Sequence, residues 1–261
     1  NSFYENDKSS YKALTDFLTR GRLEGRIPFD VIIDETRHVV SNWGCQNADE
    51  YISSQVDRLF LTYYRNYMQS QPNHIEIVGE KLTVKSIIHS IGNDYCIPYT
   101  IGRGYCSLKP RYDMFNRFKK SGKEKLVILF LTDFDPYGEE IAYSFGRLMR
   151  DDFKIGPECI KVALTKDQVK ELNLPPLMKA KKPDNRAYES KRDKFVTKYG
   201  DDVFELEAIE PGQLKTILDH AIRSVINIDL FNQEVAHEKQ ESVELEGKRN
   251  IMLAAIGRKT G

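Results

Sequence analysis

The sequence predicts an α/β protein in which a mostly parallel sheet is flanked by helices on both faces and preceded by a mainly helical N-terminal segment. Between residues 73 and 164, short apolar runs alternate with segments of helical spacing, an order typical of parallel strands joined by crossover helices. The most apolar run, at residues 126–132, has the length of one fully buried strand. A chain of 261 residues with 40% hydrophobic and 30% charged residues has a globular composition.

The N-terminal segment is predicted to be mainly helical. Apolar residues recur at helical spacing from Ser10 to Gly25, and glycines end this helix. A long helix is predicted from Asp49 to Ser70, because its apolar residues fall on one face. Tyr63 is interpreted as a core aromatic of that helix and Tyr64 as its partly exposed neighbour. A proline and an asparagine then break the pattern, so we place this first segment at residues 1–72.

The central segment supplies the predicted sheet. Its strand candidates are residues 75–78, 96–101, 126–132 and 160–164. The helices between them are predicted at residues 83–91, 111–120 and 137–150. Residues 73–228 are therefore assigned to the α/β domain, which ends with a short helix at 166–172, a strand near 203–206 and a helix over 212–226. Residues 229–261 are charged and weakly periodic, which predicts a surface helix with a loose tail.

Composition excludes several classes of protein. No apolar run approaches the roughly 18 residues of a membrane span and no signal peptide is present, so we expect a cytoplasmic protein, nucleoid-associated or nuclear according to its source. The four cysteines lie far apart without metal-ligand spacing, which predicts free thiols and no zinc site. The net charge is zero, yet residues 103–125 carry a net +6, residues 179–198 a net +5 and residues 200–219 a net −5. Basic stretches of this kind can hold a polyanion locally.

Two carboxylates follow the most apolar strand. Asp133 and Asp135 are two positions apart, and therefore on the same side of an extended chain, before Pro136 and Gly138 turn the chain into a helix. Ligands of open α/β sheets bind outside the carboxyl ends of the strands. Two like charges held together there are costly unless a cation or a shared proton relieves them. Hard oxygen ligands with room for water favour Mg²⁺.

A third carboxylate is expected at the same edge of the sheet. Glu80 closely follows the strand candidate at residues 75–78, so it lies beside Asp133 if the two strands are neighbours. The basic segment lies between them in sequence, and its side chains can meet phosphate oxygens. The predicted DNA-binding residues are Arg103, Lys109 and Arg111. Carboxylates for a metal beside cations for phosphate are what phosphodiester chemistry requires.

These residues resemble a known family. Glu80, the interval of 53 residues and the run Asp133-Phe-Asp-Pro-Tyr-Gly138 are similar to a Toprim domain, which is a Rossmann-like fold. The subtype resembles the topoisomerase VI A subunit and the meiotic double-strand-break transesterase, and most closely the small stand-alone A-subunit homologues of phages, plasmids and bacteria. The resemblance extends over roughly residues 10–225 and includes matching stretches at residues 25–37, 102–105, 163–176 and 205–208. It implies that Glu80, Asp133 and Asp135 bind Mg²⁺ and are catalytic.

The resemblance also implies an activity and partners. A Mg²⁺-dependent enzyme of this kind cleaves double-stranded DNA by transesterification, acts as a homodimer and has an ATPase B-type subunit as a further partner. In relatives the nucleophile is a tyrosine of an upstream winged-helix domain, usually in an Arg-x-x-Tyr-Tyr context. Here Tyr63 and Tyr64 precede Arg65 instead. We therefore expect the nucleophile upstream of Asn1, and we expect this chain alone to bind Mg²⁺ and DNA without forming a covalent adduct.

Two other functions stay open from the sequence. A Toprim nuclease would use metal-activated water and would form no covalent protein–DNA link. A non-catalytic DNA-binding module would hold metal without turnover. A covalent adduct that survives denaturation would separate transesterification from both alternatives. Glu205 and Glu207 flank a predicted strand and are assigned a scaffold role.

Overall fold

The computed structural model describes residues 7–31, 44–102, 107–180 and 186–255. The chain comprises two compact units, residues 1–57 and 58–261. In its described residues the first unit holds two α-helices, α1 (Lys8–Leu23) and α2 (Ala48–Asp57), and a short 3₁₀ helix at Phe29–Val31. Helix α1 begins after Asp7, whose carboxylate accepts hydrogen bonds from the N–H groups of the next residues at 2.7 and 2.9 Å. This cap satisfies two of the N–H groups that a helix start leaves without partners.

The second unit alternates strands and helices along the chain. Its strands are β1 (Asn73–Gly79), β2 (Tyr99–Ile101), β3 (Lys125–Leu131), β4 (Glu158–Ala163), β5 (Met178–Lys179) and β6 (Asp202–Val203). Its α-helices are α3 (Lys85–Tyr95), α4 (Leu108–Ser121), α5 (Gly138–Phe153), α6 (Lys166–Glu171), α7 (Arg186–Tyr199), α8 (Pro211–Val225) and α9 (Ile228–Ala255). Within the described ranges no helix is both long and apolar enough to cross a bilayer.

The main sheet has four strands in the order β2-β1-β3-β4, and all of them are parallel. The predicted α/β class with a parallel sheet is therefore confirmed. Gly79 lies beside both Leu131 and Ile101, so the carboxyl ends of β2, β1 and β3 are level. Strand β2 is shorter than predicted, because Cys96 adopts φ 55° and ends α3 with a left-handed residue where the sequence suggested an extended chain.

Both faces of the sheet are covered by helices. Alternate residues of β1 and β3 point to opposite faces, as in any strand. One face packs against α3 and α8 through buried residues that include Ile77, Leu129 and Leu218. The other packs against α4 and α5 through residues that include Phe130 and Phe145. The sheet is thus the middle layer of three, which explains why β3 is apolar from Leu126 to Leu131.

The predicted helix from Asp49 to Ser70 is wrong in its second half. Helix α2 ends at Asp57, and Phe60 has φ 63°. The following segment is held by α9 instead, because Arg65 Nε donates to Glu234 at 2.5 Å and the Tyr67 hydroxyl donates to Glu238 at 2.7 Å. These partners lie more than 160 residues away in sequence, so local periodicity does not report them.

A second sheet of two short strands follows the main sheet in sequence, with α7 between its strands. Strands β5 and β6 are antiparallel, and Phe204 exchanges backbone hydrogen bonds with Phe134 at 2.9 and 3.1 Å. This exchange joins the chain after β6 to the turn that follows β3. It therefore brings the acidic run at residues 205–207 next to the aspartates at the carboxyl edge of the sheet.

Candidate functional site

Glu80 and Asp133 meet at the carboxyl edge of the parallel sheet. Strands β1 and β3 are hydrogen-bonded neighbours, and the Glu80 N–H donates to the Leu131 carbonyl at 3.0 Å. The Glu80 carboxylate in turn accepts a hydrogen bond from the Asp133 N–H at 3.2 Å. Strands β1 and β3 are thus adjacent, as the predicted proximity of Glu80 and Asp133 requires.

Asp135 organises the turn into α5. Its Oδ1 accepts hydrogen bonds from the N–H groups of Tyr137 at 2.9 Å and Gly138 at 2.6 Å. The Thr132 hydroxyl donates to the Gly138 carbonyl at 3.0 Å and ties the other side of the turn. Oδ2 of Asp135 and Oε1 of Glu80 accept no hydrogen bond from any described residue. Each of these two carboxylates thus keeps one oxygen for another ligand.

Asp133 differs from Glu80 and Asp135 because both of its carboxylate oxygens have partners. Its Oδ1 accepts the Leu206 N–H at 2.9 Å, and its Oδ2 pairs with the Lys81 ammonium at 2.9 Å. Lys81 also contacts Glu207 at 3.0 Å and Glu205 at 3.3 Å. The Asp133 carboxylate is therefore part of an acidic group around Lys81.

Burial and like charge shape the titration of the site. Burial raises the pKa of Glu80 above its ordinary value, and the negative charges of Asp133 and Asp135 raise it further. Burial likewise raises the pKa of Asp135, with the charge of Asp133 adding to the effect. Burial alone would lower the pKa of Lys81, but its hydrogen bonds to Asp133 and Glu207 raise it above the ordinary value. A cation near Glu80 and Asp135 would relieve the cost of holding them ionised.

The Lys161 side chain contacts the turn that follows β3. It lies in β4, and its ammonium donates to the Asp133 carbonyl at 2.8 Å and to Glu139 at 2.6 Å. Burial lowers the pKa of Lys161, although the charge of Glu139 opposes this shift. Lys161 interrupts the apolar residues of β4 between Ile160 and Val162, and such an interruption is a signal in the sequence for a charged residue with a specific partner.

The donor set suits Mg²⁺ only in part. In residues 7–31, 44–102, 107–180 and 186–255 no three His, Cys, Asp or Glu side chains are arranged to hold a metal ion. Both oxygens of Asp133 already have partners. Mg²⁺ is nevertheless often bound through one or two carboxylates with waters completing its shell. The hard oxygens that Glu80 and Asp135 keep for a ligand fit that requirement, and Asp133 fits it only after Lys81 moves away.

The three predicted DNA-binding residues differ in exposure and in their partners. Lys109 lies in the first turn of α4 and is 76% exposed at its side chain, beside Asp113. Arg111 is only 7% exposed and pairs with Asp152 of α5. Arg103 lies outside the described residues. The contact of these three residues with DNA stays a prediction, and the geometry presents Lys109 to solvent while it engages Arg111 in packing.

The tyrosine pair lies far from the carboxylates. Tyr64 is 74% exposed and lines a groove with Pro98 and Tyr99, where β2 begins, whereas Glu80 lies where β1 ends. The interpretation of Tyr63 as a helix-core aromatic is wrong, since its hydroxyl donates to Glu241 of α9 from a non-helical segment. Neither tyrosine hydroxyl thus lies at the carboxyl edge of the main sheet, where Glu80 and Asp133 meet.

Comparison of the chain with protein-family models, with curated proteins and with solved structures gives no match.

Proposed function

We propose that this chain is a Mg²⁺-dependent DNA-cleaving protein of the topoisomerase VI A-subunit kind, and that its α/β unit is a Toprim domain. The observation that carries the proposal is the contact of Glu80 with the Asp133–Asp135 turn at the carboxyl edge of a parallel sheet. Ligands bind at that edge in open α/β sheets. Carboxylates brought there from two strands, 53 residues apart in sequence, are a costly arrangement that a cation would stabilise.

Each residue of the site has a proposed role. Glu80 and Asp135 supply oxygen ligands to Mg²⁺, and Asp133 joins them when its ion pair with Lys81 opens. The ion would stabilise negative charge on the attacked phosphate and on the departing oxygen. Lys161 keeps the Asp133 carbonyl in place, so the turn stays rigid while ligands exchange. The exposed Lys109 donates to a DNA phosphate from the first turn of α4.

The nucleophile of the proposed transesterification comes from another part of the assembly. Tyr64 lies at the amino end of the sheet, the opposite end from Glu80. A tyrosine from a different segment, or from a second copy in a homodimer, would reach the site across the bound DNA. Such a dimer would match the pseudo-twofold symmetry of duplex DNA, and an ATPase subunit would be its further partner. A DNA substrate places the protein in the cytoplasm of a bacterium or in a nucleus.

The position of the tyrosine pair favours a second candidate function. With the Tyr63–Tyr64 pair remote from the carboxylates, water is the nucleophile most directly available to this chain. The site would then act as a Toprim nuclease in which the carboxylates hold Mg²⁺ and no covalent intermediate forms. A binding module without turnover would share the metal and DNA contacts but not the cleavage.

Incubation with supercoiled plasmid DNA tests the proposal. We expect Mg²⁺-dependent DNA binding that Asp135→Asn weakens at least tenfold, because it removes a ligand charge, whereas the exposed Asp167→Asn serves as a matched control with no effect. Electrophoresis after denaturation, with and without protease treatment, then distinguishes the candidates. Protein-linked DNA ends support transesterification, whereas nicks without linked protein support the nuclease.

Two results would contradict the proposal. DNA binding and cleavage that are independent of Mg²⁺ would remove the role of the carboxylates. Equal behaviour of Asp135→Asn and wild type in a Mn²⁺ titration followed by electron paramagnetic resonance would show that this turn does not hold the ion.

A further inference from the structure

Lys81 occupies the centre of the acidic group beside the proposed metal ligands. Its ammonium lies 2.9 Å from Asp133 Oδ2, 3.0 Å from Glu207 and 3.3 Å from Glu205. The lysine side chain is only 26% exposed, so water screens these contacts less than on an open surface. One ammonium thus serves three carboxylates, only one of which is a proposed Mg²⁺ ligand.

The group is fixed in place by its neighbours. Thr83 Oγ1 donates to Glu207 at 2.8 Å, and the Leu206 N–H holds the other oxygen of Asp133 at 2.9 Å. These bonds orient two of the carboxylates without help from Lys81. Loss of the contact with Asp133 would therefore leave the ammonium between Glu205 and Glu207, still paired and still close.

We propose that Lys81 is a positioning residue that competes with Mg²⁺ for Asp133: its ammonium holds this carboxylate away from Glu80 and Asp135 in the metal-free chain and withdraws toward Glu205 and Glu207 when the ion binds. The inference rests on the proposed metal-binding function. It also gives Glu205 and Glu207 a role beyond the scaffold, as acceptors of the displaced lysine.

Physical chemistry makes the two cations exclusive at Asp133. Only Oδ2 of Asp133 is available for exchange, because Oδ1 is held by a backbone N–H. An ammonium and a divalent ion on one oxygen would repel each other strongly at such short range. The lysine has four flexible methylene groups and makes point-charge contacts, so it can move between carboxylates without losing a directional bidentate geometry.

Direct measurement of ion affinity tests the competition. In the full chain, Mn²⁺ binding followed by electron paramagnetic resonance compares wild type with Lys81→Gln. We expect about tenfold tighter binding in Lys81→Gln, since one nearby charge commonly changes a site by about one logarithmic unit or more. Lys179→Gln is the matched control, because Lys179 also bridges two carboxylates, Asp201 and Asp202, at 2.8 Å each. Unchanged or weaker binding in Lys81→Gln would overturn the proposal.

A second measurement uses the unmodified chain and does not depend on the folding of a variant. Amine acetylation read by mass spectrometry reports how firmly each lysine is held. We expect the reaction rate of Lys81 to rise several-fold as Mg²⁺ saturates the protein, while that of Lys179 stays constant. A constant or lower rate for Lys81 at saturating Mg²⁺ would overturn the competition. Absence of any Mg²⁺ or Mn²⁺ binding by the wild-type chain would instead refute the metal site of the proposed function, and with it this inference.

Discussion

Gly138→Ala tests whether the turn that carries Asp133 and Asp135 depends on the absence of a side chain. Gly138 is the first residue of α5, and a Cβ at this position would lie 2.1 Å from the Asp133 carbonyl oxygen and 2.9 Å from its carbon. Both contacts are with backbone, so no side-chain rotation relieves them. The Asp133 carbonyl would have to move by roughly 1 Å to restore an ordinary contact distance.

The energetic cost follows from what that carbonyl and turn already do. The Asp133 carbonyl accepts the Lys161 ammonium at 2.8 Å, and Asp135 Oδ1 accepts the Gly138 N–H at 2.6 Å. Forcing one methyl group into a packed position typically costs about 1–3 kcal/mol. A hydrogen bond to a charged group contributes about 1.5–3 kcal/mol. We expect Gly138→Ala to lower the free energy of unfolding by about 2–4 kcal/mol and to weaken Mg²⁺ binding.

The same substitution elsewhere provides the control. Gly247 lies inside α9, and a Cβ there would meet no atom within 4 Å. Alanine is favoured over glycine in helix interiors by about 0.5–1 kcal/mol, so Gly247→Ala should be stabilising. Urea denaturation followed by circular dichroism measures both variants, and Mn²⁺ titration measures the site. A Gly138→Ala variant as stable as wild type would refute the argument from crowding.

Three further substitutions test other parts of the molecule. Arg117 donates to both oxygens of the fully buried Glu76 at 2.8 and 2.7 Å. Arg117→Met should therefore lower the free energy of unfolding by about 2 kcal/mol, because it leaves a buried carboxylate without this partner. Lys125→Met is the control and should cost less than about 1 kcal/mol, because the ion pair of Lys125 with Glu158 is exposed. Burial, with the charge of Asp133, raises the pKa of Glu80 in the folded chain above its ordinary value of 4.5. The folded chain therefore holds the carboxyl proton of Glu80 more tightly than the unfolded chain does. Because ionised Glu80 is less favourable in the folded chain, its contribution to stability falls as the pH rises through these two pKa values. In metal-free buffer the stability of Glu80→Gln relative to wild type should therefore increase between about pH 4 and 7, and a constant difference in urea titrations would contradict the raised pKa. Tyr64→Phe should leave stability within about 0.5 kcal/mol and DNA cleavage unchanged, whereas loss of a protein–DNA adduct in this variant would identify Tyr64 as the nucleophile.

Much of the α/β unit follows from local sequence pattern. The strand predicted at residues 126–132 corresponds to β3 at Lys125–Leu131, and the other three strands of the sheet appear where apolar runs were found. Residues 126–131 of β3 are buried on both faces, so a continuous apolar run predicts this strand, whereas β2 and most of β4 are only partly buried. The helices between them are likewise within a few residues of their predicted positions.

Other features depend on partners that are distant in sequence. Arg111 has the charge of a phosphate ligand, yet the packing of α4 on α5 gives it Asp152 as a partner. The segment after α2 has helical periodicity, yet the glutamates of α9 hold it in another conformation. In the second case the tertiary contacts outweigh a helix preference of well under about 1 kcal/mol per residue.

By itself the sequence determined the order of strands and helices and the placement of Glu80, Asp133 and Asp135 at strand ends, because burial and chain reversal are recorded locally in apolar runs and in the Pro-Tyr-Gly turn. Only the tertiary structure decided that β1 and β3 are neighbours, which brings Glu80 to the Asp133 N–H. It also decided that Asp133 pairs with Lys81 and the acidic run at residues 205–207. Ion pairs and hydrogen bonds depend on distances of a few ångströms between residues far apart in the chain, and sequence spacing carries no information on those distances.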